Sequence, residues 1–236
     1  MRWIESKMGR VFHAAIFMTL TLVWTGGCAT HQGRSVETSG FLGDYSQLHE
    51  GTGDEALLTY INPNADFRQY NKLILDPIKV YPGVGNSKLS SISPEDMQKL
   101  LDYFDATLRE ELGDGFVFVT QPGPETMRLR IALTEAKPGR VALDTFSSVM
   151  PPAVALNALK TVSTGRGTGI GEASAEVEMQ DSMTGERLAA SVDKRVGSKY
   201  TFKLDKFSRW RATKGAFDYW AKRMDERLAE LNNVQR

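Results

Sequence analysis

The first 28 residues follow a pattern that constrains this chain more than any other feature. Residues 1–10 carry three basic side chains against one acidic side chain, and an apolar run follows from Val11 to Trp24. Small residues at 25–27 then precede Cys28, the only cysteine among 236 residues. A basic start, an apolar centre and a small-residue end predict a secretory signal peptide at residues 1–27, and not a membrane-spanning helix.

The end of this segment resembles the lipobox of bacterial lipoproteins, in which small residues lead directly into a cysteine. The resemblance implies diacylglycerol on the sulfur of Cys28, cleavage after Gly27, and N-acylation of the new terminus with a fatty acid such as palmitate. The alternative is an uncleaved N-terminal anchor with an incidental cysteine. The apolar run at 11–24 is shorter than the ~20 residues that a bilayer requires, which favours the cleaved form.

Lipidation at Cys28 would fix the location of the mature protein. Each buried methylene contributes ~0.8 kcal/mol, and two or three acyl chains together give stable anchoring. Lipoprotein sorting in enteric-type bacteria retains proteins with Asp after the cysteine, so Ala29 implies the outer membrane. We therefore expect a protein anchored at the periplasmic face of the outer membrane, with the membrane as one partner. A single cysteine cannot form an internal disulfide, although that compartment permits disulfides.

The remaining chain has the size of one domain. Hydrophobic residues make up 41% of the chain, and the 29 basic residues balance the 29 acidic ones. Removal of residues 1–27 takes away three basic and one acidic residue, which leaves a net charge of −2. The chain has no excess of basic residues, so we do not expect nucleic acid as a partner. We predict a polar tether at 28–66 and one domain at 67–236. The apolar stretch Phe41–Leu48 in the tether could dock on the domain like a clasp, and Phe41 and Tyr45 are candidate partner contacts.

The pattern of elements in residues 67–236 predicts an α+β fold with a mostly antiparallel sheet and two amphipathic helices packed on it. Ser93-Pro94 begins a helix that runs to Leu112, and a second helix spans about Ser208 to Asn232. Alternating apolar residues predict strands at 127–133 and in a hairpin at 173–196. Shorter strands are expected at Lys72–Asp76, interrupted by Pro77, and at Phe116–Val119, where the continuous apolar run indicates a buried strand.

Residues with catalytic potential do not form a recognisable set. The glycine run Gly165–Gly171 precedes a strand and lacks the spacing of a phosphate loop. The mature chain has only His31 and His49, both outside the predicted domain, so we expect neither a metal site nor a cofactor. Glu176 and Glu178 share one strand face and could act as an acid–base pair, but a solvated polar face is the favoured interpretation.

Two apolar features could serve binding or structure. Trp210 and Trp220 lie on one predicted helix, where such a spacing favours core packing over an aromatic binding platform. The segment at 151–171 begins with a double proline, continues with an apolar stretch and ends in alternate glycines. A short helix that is apolar on all sides is either buried or covered by a partner. Val154, Leu156 and Leu159 are therefore candidate partner contacts.

Several motifs together resemble the Gram-negative lipoproteins of the family DUF3313. They lie at residues 39–46, 75–78, 122–134, 181–190 and 216–221, and they cover nearly the whole mature chain. The resemblance implies a secreted lipoprotein. It implies no reaction, cofactor or catalytic residue. We expect a binding or assembly component of the cell envelope that is not an enzyme, with a possible envelope protein as its partner. A hydrolase of a cell-envelope substrate is the alternative.

Overall fold

The computed structural model describes residues 30–82, 89–138, 171–197 and 210–234. These residues form a nine-stranded sheet and two α-helices. The strands are β1 Thr30–Gln32, β2 His49–Glu50, β3 Leu58–Ile61, β4 Lys72–Leu75, β5 Lys79–Val80, β6 Val117–Phe118, β7 Thr126–Lys137, β8 Glu172–Asp181 and β9 Arg187–Gly197. The helices are α1 Pro94–Leu112 and α2 Arg211–Val234. Neither helix is long and apolar enough to cross a membrane.

The sheet is mixed and mostly antiparallel, with the strand order β2-β3-β9-β8-β7-β4-β6. β7, β8 and β9 form an antiparallel centre, and β1 adds to β9 beside β3. The parallel pairs are β4 with β6, β4 with β7 and β5 with β7. The pair of β4 and β6 is parallel because α1 lies between these strands in the chain and returns it to the end of the sheet at which β4 begins. The predicted α+β class is confirmed.

The two helices pack on one face of the sheet, which we call the helix face. α1 begins where the sequence predicts, because the Ser93 side chain accepts a hydrogen bond from the backbone N–H of Asp96 and Pro94 occupies the first turn. Phe104 of α1 stacks on Phe217 of α2, with ring centroids 4.3 Å apart. The alternating apolar residues of β7 and β8 complete this core: Met127, Leu129, Ile131, Leu133, Ala173, Ala175 and Met179.

The opposite face of the sheet, which we call the far face, is covered by the chain that follows Thr30. β1, β2 and β3 join the sheet, and Phe41 and Leu42 pack with Ala190 and Val192 in a second apolar cluster. This finding corrects the predicted tether, because residues 30–61 belong to the fold and His31 and His49 lie in strands. The polar residues of this segment contact the polar far face of the sheet, so their polarity does not indicate a lack of structure. The predicted docking of residues 41–48 is what the structure shows.

Two short strands differ from their predicted environment. β6 forms the edge of the sheet, and Val117 is 65% exposed although the sequence indicates a buried strand. Pro77 separates β4 from β5, and both strands pair with β7 in parallel. A break at Pro77 agrees with the missing N–H of proline, which cannot contribute to the ladder.

Candidate functional site

A cavity lies between α2 and strands β3, β8 and β9 on the helix face. Its volume is about 140 Å³. An engineered cavity of ~150 Å³ lined by apolar side chains is known to bind benzene. The space beside α2 is therefore sufficient for one aromatic ring or a branched alkyl group.

The walls of this cavity are mainly apolar. β8 contributes Val177 and Met179, and α2 contributes Trp220 and Leu228, which are both buried in the core. Further apolar side chains complete the lining: Ile61, Ala175, Ala189, Met224 and Leu231. The alternation of β8 and the helical spacing of α2 bring these side chains to one place. Trp210 and Trp220 are each 8% exposed, so the prediction that they belong to the core is confirmed.

Ion pairs hold the loop 51–57 against α2 at the rim of the cavity. Arg223 Nη2 lies 2.6 Å from Asp54 Oδ2, and Arg227 Nη2 lies 2.7 Å from Glu55 Oε1. The backbone N–H and hydroxyl of Thr52, together with Arg227, lower the pKa of Glu55 despite partial desolvation. The rim carboxylate of Glu55 is thus ionised and bound by several donors at neutral pH.

The lining of the cavity includes one buried carboxylate, that of Asp193. Asp193 Oδ2 accepts a hydrogen bond from Trp220 Nε1 at 2.8 Å, and Oδ1 accepts one from Gln32 Nε2 at 3.1 Å. The backbone N–H of Leu57 also donates to Oδ1, at 3.4 Å. Asp193 therefore connects α2, β1 and the 51–57 loop, and its oxygens already serve as acceptors for protein donors.

One donor at the cavity has no acceptor in the part of the chain that the structure describes. The Nε atom of Arg223 is buried, and its N–H makes no hydrogen bond there, although the terminal nitrogens of the same side chain are ion-paired. Buried donors in folded proteins are nearly always paired, so such an atom calls for an explanation. A bound apolar group that carries an acceptor atom could accept a hydrogen bond from the Nε–H of Arg223.

The far face contains a second group of ionisable residues, which the sequence places on a solvated face. Glu176 is 0% exposed and Glu178 is 2% exposed, so this interpretation of the two carboxylates is corrected. Glu176 accepts hydrogen bonds from the hydroxyl of Tyr45 at 2.6 Å and from the backbone N–H of Ser39 at 2.5 Å. The N-terminal segment thus supplies the donors that make burial of Glu176 possible.

Glu178 is held between two arginines. Arg130 Nη1 pairs with Oε2, and Arg187 Nε pairs with Oε1 at 2.7 Å. Arg187 also donates to the carbonyl oxygens of Leu42 and Asp44, at 2.9 and 2.8 Å. Its guanidinium therefore connects the sheet to the segment that covers it, as a rigid fork of five donors allows.

A β-bulge places a further carboxylate on the far face. The register shifts between Leu133 and Glu135, so that Glu135 lies opposite Ser174 and not on the helix face. Lys137 and Lys194 both pair with Glu135 and with Glu172. Burial alone would raise the pKa of Glu135, but the two ammonium groups lower it to about 2.

The candidate site residues from the sequence divide into two groups. Phe41 and Tyr45 are used within the protein, because the ring of Phe41 is buried and the hydroxyl of Tyr45 binds Glu176. Cys28 and the apolar candidates Val154, Leu156 and Leu159 lie outside the described residues. Within the described ranges, no group of three or more histidine, cysteine or acidic side chains is arranged to hold a metal ion.

Sequence reasoning missed the cavity, because its two walls come from segments far apart in the chain. The rim pairs join positions in 51–57 to α2, and no local pattern indicates such a contact. A signal for the far face was present. The alternation of β8 places Glu176 and Glu178 on one face, and pairing with β7 and β9 brings Arg130 and Lys194 to that same face. This match of opposite charges becomes visible only once the strands are paired.

The chain matches the protein-family model described as "Protein of unknown function (DUF3313)" over residues 37–224. Among curated proteins, the chain is similar to "Uncharacterized lipoprotein YdcL" of Escherichia coli K12, with 28% identity over 135 residues. The aligned region is 56% of this chain and 60% of that relative, so the chain spans about 60% of the length of the curated relative it matches. The same protein of Escherichia coli O157:H7 gives the same values.

Solved structures offer weaker similarities. A PelC dodecamer from Paraburkholderia phytofirmans has a TM-score of 0.39 and 11% identity, and covers 71% of this chain and 94% of its own. Protein XCC0632 from Xanthomonas campestris has a TM-score of 0.40 and 8% identity, and covers 74% and 92%. Both TM-scores are too low to establish a shared fold.

Proposed function

The chain belongs to the family DUF3313, and from this premise we propose that it is a lipid-anchored envelope lipoprotein whose domain binds a protein partner and catalyses no reaction. The anchor is Cys28, at the periplasmic face of the outer membrane. The lipobox-like pattern before Cys28 supports the anchor, and so does the name of the curated relative, an uncharacterised lipoprotein.

The observation that carries the binding proposal is the cavity beside α2. Its walls are apolar, and its volume of about 140 Å³ fits one aromatic or branched aliphatic side chain. Side chains that fill such pockets often dominate the affinity of protein interfaces. We assign the cavity to an apolar side chain of an envelope protein, with the Nε–H of Arg223 available to a nearby acceptor such as a backbone carbonyl.

The polar groups at this site favour binding over hydrolysis. Asp193 is occupied by three donors, and Glu55 is ionised and paired with Arg227. A general acid or base needs a pKa near the working pH, whereas the hydrogen bonds to Glu55 lower its pKa. The hydrolase alternative therefore gains no support from these two carboxylates.

Filling the cavity tests the binding proposal. Ala189→Leu adds apolar volume at the cavity wall, whereas Ala229→Leu makes the same change at an exposed position of α2. Benzene serves as the probe and should raise the melting temperature of the wild type and of Ala229→Leu, because a ligand that binds only the folded state stabilises it. Ala189→Leu should lose this shift. An unchanged melting temperature of the wild type in saturating benzene would contradict a usable cavity.

Crosslinking in cells connects the cavity to a partner. A photo-crosslinking amino acid at Arg227, on the rim, should capture one envelope protein in the wild type and in Ala229→Leu. The same product should disappear in Ala189→Leu. A crosslinked product of equal intensity in all three proteins would show that the partner does not use the cavity.

Metabolic labelling tests the anchor. The wild-type chain should incorporate a radioactive fatty acid, whereas Cys28→Ser should lack the label and accumulate as the uncleaved precursor. Equal label in both proteins would disprove lipidation at Cys28.

A further inference from the structure

Four strand ends meet at one end of the sheet, which we call the Thr30 end. β1 begins and β9 ends there, since Thr30 pairs with Gly197. β7 ends and β8 begins there, since Lys137 pairs with Glu172. The opposite end, which we call the hairpin end, is formed by the turn between β8 and β9 and contains Met183 and Gly185.

The position of β1 limits how far the domain can lie from the anchor. Cys28 precedes Thr30 by only two residues, and two extended residues span at most ~7 Å. β8 has 10 residues, and a strand of this length extends over ~33 Å. The Thr30 end is thus several times closer to the anchor point than the hairpin end, whatever path residues 28–29 take.

The chain around the Thr30 end suits contact with a lipid surface. β5, with Lys79 and Val80, runs toward this end beside β7, and Val80 lies opposite Leu133, four residues before Lys137. The chain continues in the same direction through Tyr81, and the side chains of Val80 and Tyr81 are 38% and 40% exposed. Tyrosine combines an apolar ring with a polar hydroxyl and is favoured where one side is apolar and the other is wet. A nearby lysine is attracted to anionic headgroups.

Carboxylates at this end are compensated within the protein. Glu135 and Glu172 are buried and pair with Lys137 and Lys194. An unpaired carboxylate close to anionic lipid would be repelled, whereas two carboxylates matched by two ammonium groups add no net charge. The ion-paired cluster therefore allows the end of the sheet to approach the headgroups.

We propose that the Thr30 end is a lipid-contacting surface, at which Val80 and Tyr81 meet the phospholipid headgroups of the membrane that holds Cys28. The inference rests on the proposed lipid anchor and adds a fixed orientation to it. The hairpin end then points away from the membrane. α2 and its cavity run from the lipid side toward the periplasm, because Arg195 Cζ, near the end of β9, lies 3.7 Å from the ring centroid of Tyr219, whereas Leu228, further along α2, lines the cavity together with Ala189 at the start of β9.

Fluorescence quenching in vesicles tests this orientation. Lipidation consumes the thiol of Cys28, so a cysteine introduced by Pro138→Cys or Met183→Cys is the single free thiol of the full lipidated protein. Pro138 is exposed directly after β7, and Met183 is 64% exposed at the hairpin end. In phosphatidylethanolamine–phosphatidylglycerol vesicles with headgroup spin labels, a dye at 138 should be quenched several-fold more than a dye at 183.

A matched pair of variants tests the surface itself. Val80→Ser combined with Tyr81→Ser should reduce the quenching at 138. Val117→Ser removes a valine at the sheet edge that is more exposed than Val80, 65% against 38%, and should leave the quenching unchanged. Mass spectrometry of the same samples reports the acyl groups on Cys28. Absence of acyl groups would overturn both the anchor and the orientation. Acylation with equal quenching at 138 and 183 would overturn the orientation alone, and so would equal effects of the two serine variants.

Discussion

The hydroxyl of Tyr45 donates a hydrogen bond to Oε2 of Glu176 at 2.6 Å and thereby joins the N-terminal segment to the centre of the sheet. Desolvation and the neighbouring carboxylate raise the pKa of Tyr45, so its hydroxyl remains a donor at neutral pH. Glu176 has no exposure to solvent and depends on such donors. The relationship explains how a carboxylate of the sheet is buried with its oxygens hydrogen-bonded.

Removal of this hydroxyl should destabilise the domain measurably. Tyr45→Phe leaves a buried carboxylate without one donor, and a hydrogen bond to a charged group contributes about 1.5–3 kcal/mol. Tyr81→Phe removes the hydroxyl of an exposed tyrosine and should have little effect. Urea unfolding of both variants measures the difference. Equal free energies of unfolding for wild type and Tyr45→Phe would show that the hydrogen bond is not formed in solution.

Arg187 should control how firmly the segment 41–47 is held on the far face. Arg187→Lys keeps the positive charge but loses the fork that reaches Glu178 and two backbone carbonyls at once. We expect faster hydrogen exchange in residues 41–47 of this variant, with little change in α1. Lys99→Arg, a conservative change at an exposed helical pair, is the control. Unchanged exchange in 41–47 would contradict the role of Arg187.

Acid should weaken the fold partly through Glu135. The pKa of this carboxyl is about 2 in the folded protein and 4.5 in its unperturbed form. Because the folded-state pKa is the lower one, the stabilising contribution is present above pH 4.5 and is lost as the pH falls toward 2. The urea midpoint of the wild type should therefore fall more steeply over this range than that of Glu135→Gln. Parallel pH profiles would indicate that the lysines do not hold Glu135 ionised.

The aromatic contact between the helices should be central to stability. Phe104 is fully buried and stacked on Phe217, so Phe104→Ala should lower the free energy of unfolding by about 3–5 kcal/mol. Val117→Ala, at an exposed strand position, should change it little. Urea unfolding monitored by tryptophan fluorescence gives both values. A loss for Phe104→Ala no larger than that for Val117→Ala would contradict the packing.

Local patterns predicted the helix-face half of the molecule well. Ser93 and Pro94 identify the start of α1 because capping and backbone geometry are local properties. The β8–β9 hairpin follows from strict alternation and a turn with Gly185 at positive φ. Each of these features is encoded within a few neighbouring residues.

The covered far face could not be predicted from alternation alone. A strand with Glu172, Glu176 and Glu178 on one side has the pattern of a strand exposed to solvent, and alternation does not reveal what packs above it. The polar segment after Thr30 likewise has the composition of a tether. The polar groups of the sheet face and of the segment after Thr30 bind each other, because donors such as the Ser39 N–H meet acceptors such as Glu176. Only the pairing of distant segments distinguishes this arrangement from two solvated surfaces.

Neutron reflectometry of the lipidated protein on a supported bilayer tests the central claim most directly, which is that the fold begins immediately after the proposed anchor at Cys28. β1 starts two residues after Cys28, so protein density should begin at the headgroups with no separate water layer. A flexible tether over residues 29–66 would instead hold the domain away from the headgroups, across a hydrated layer of ~30–40 Å. A profile with such a gap would contradict the account, and a continuous profile is what it predicts.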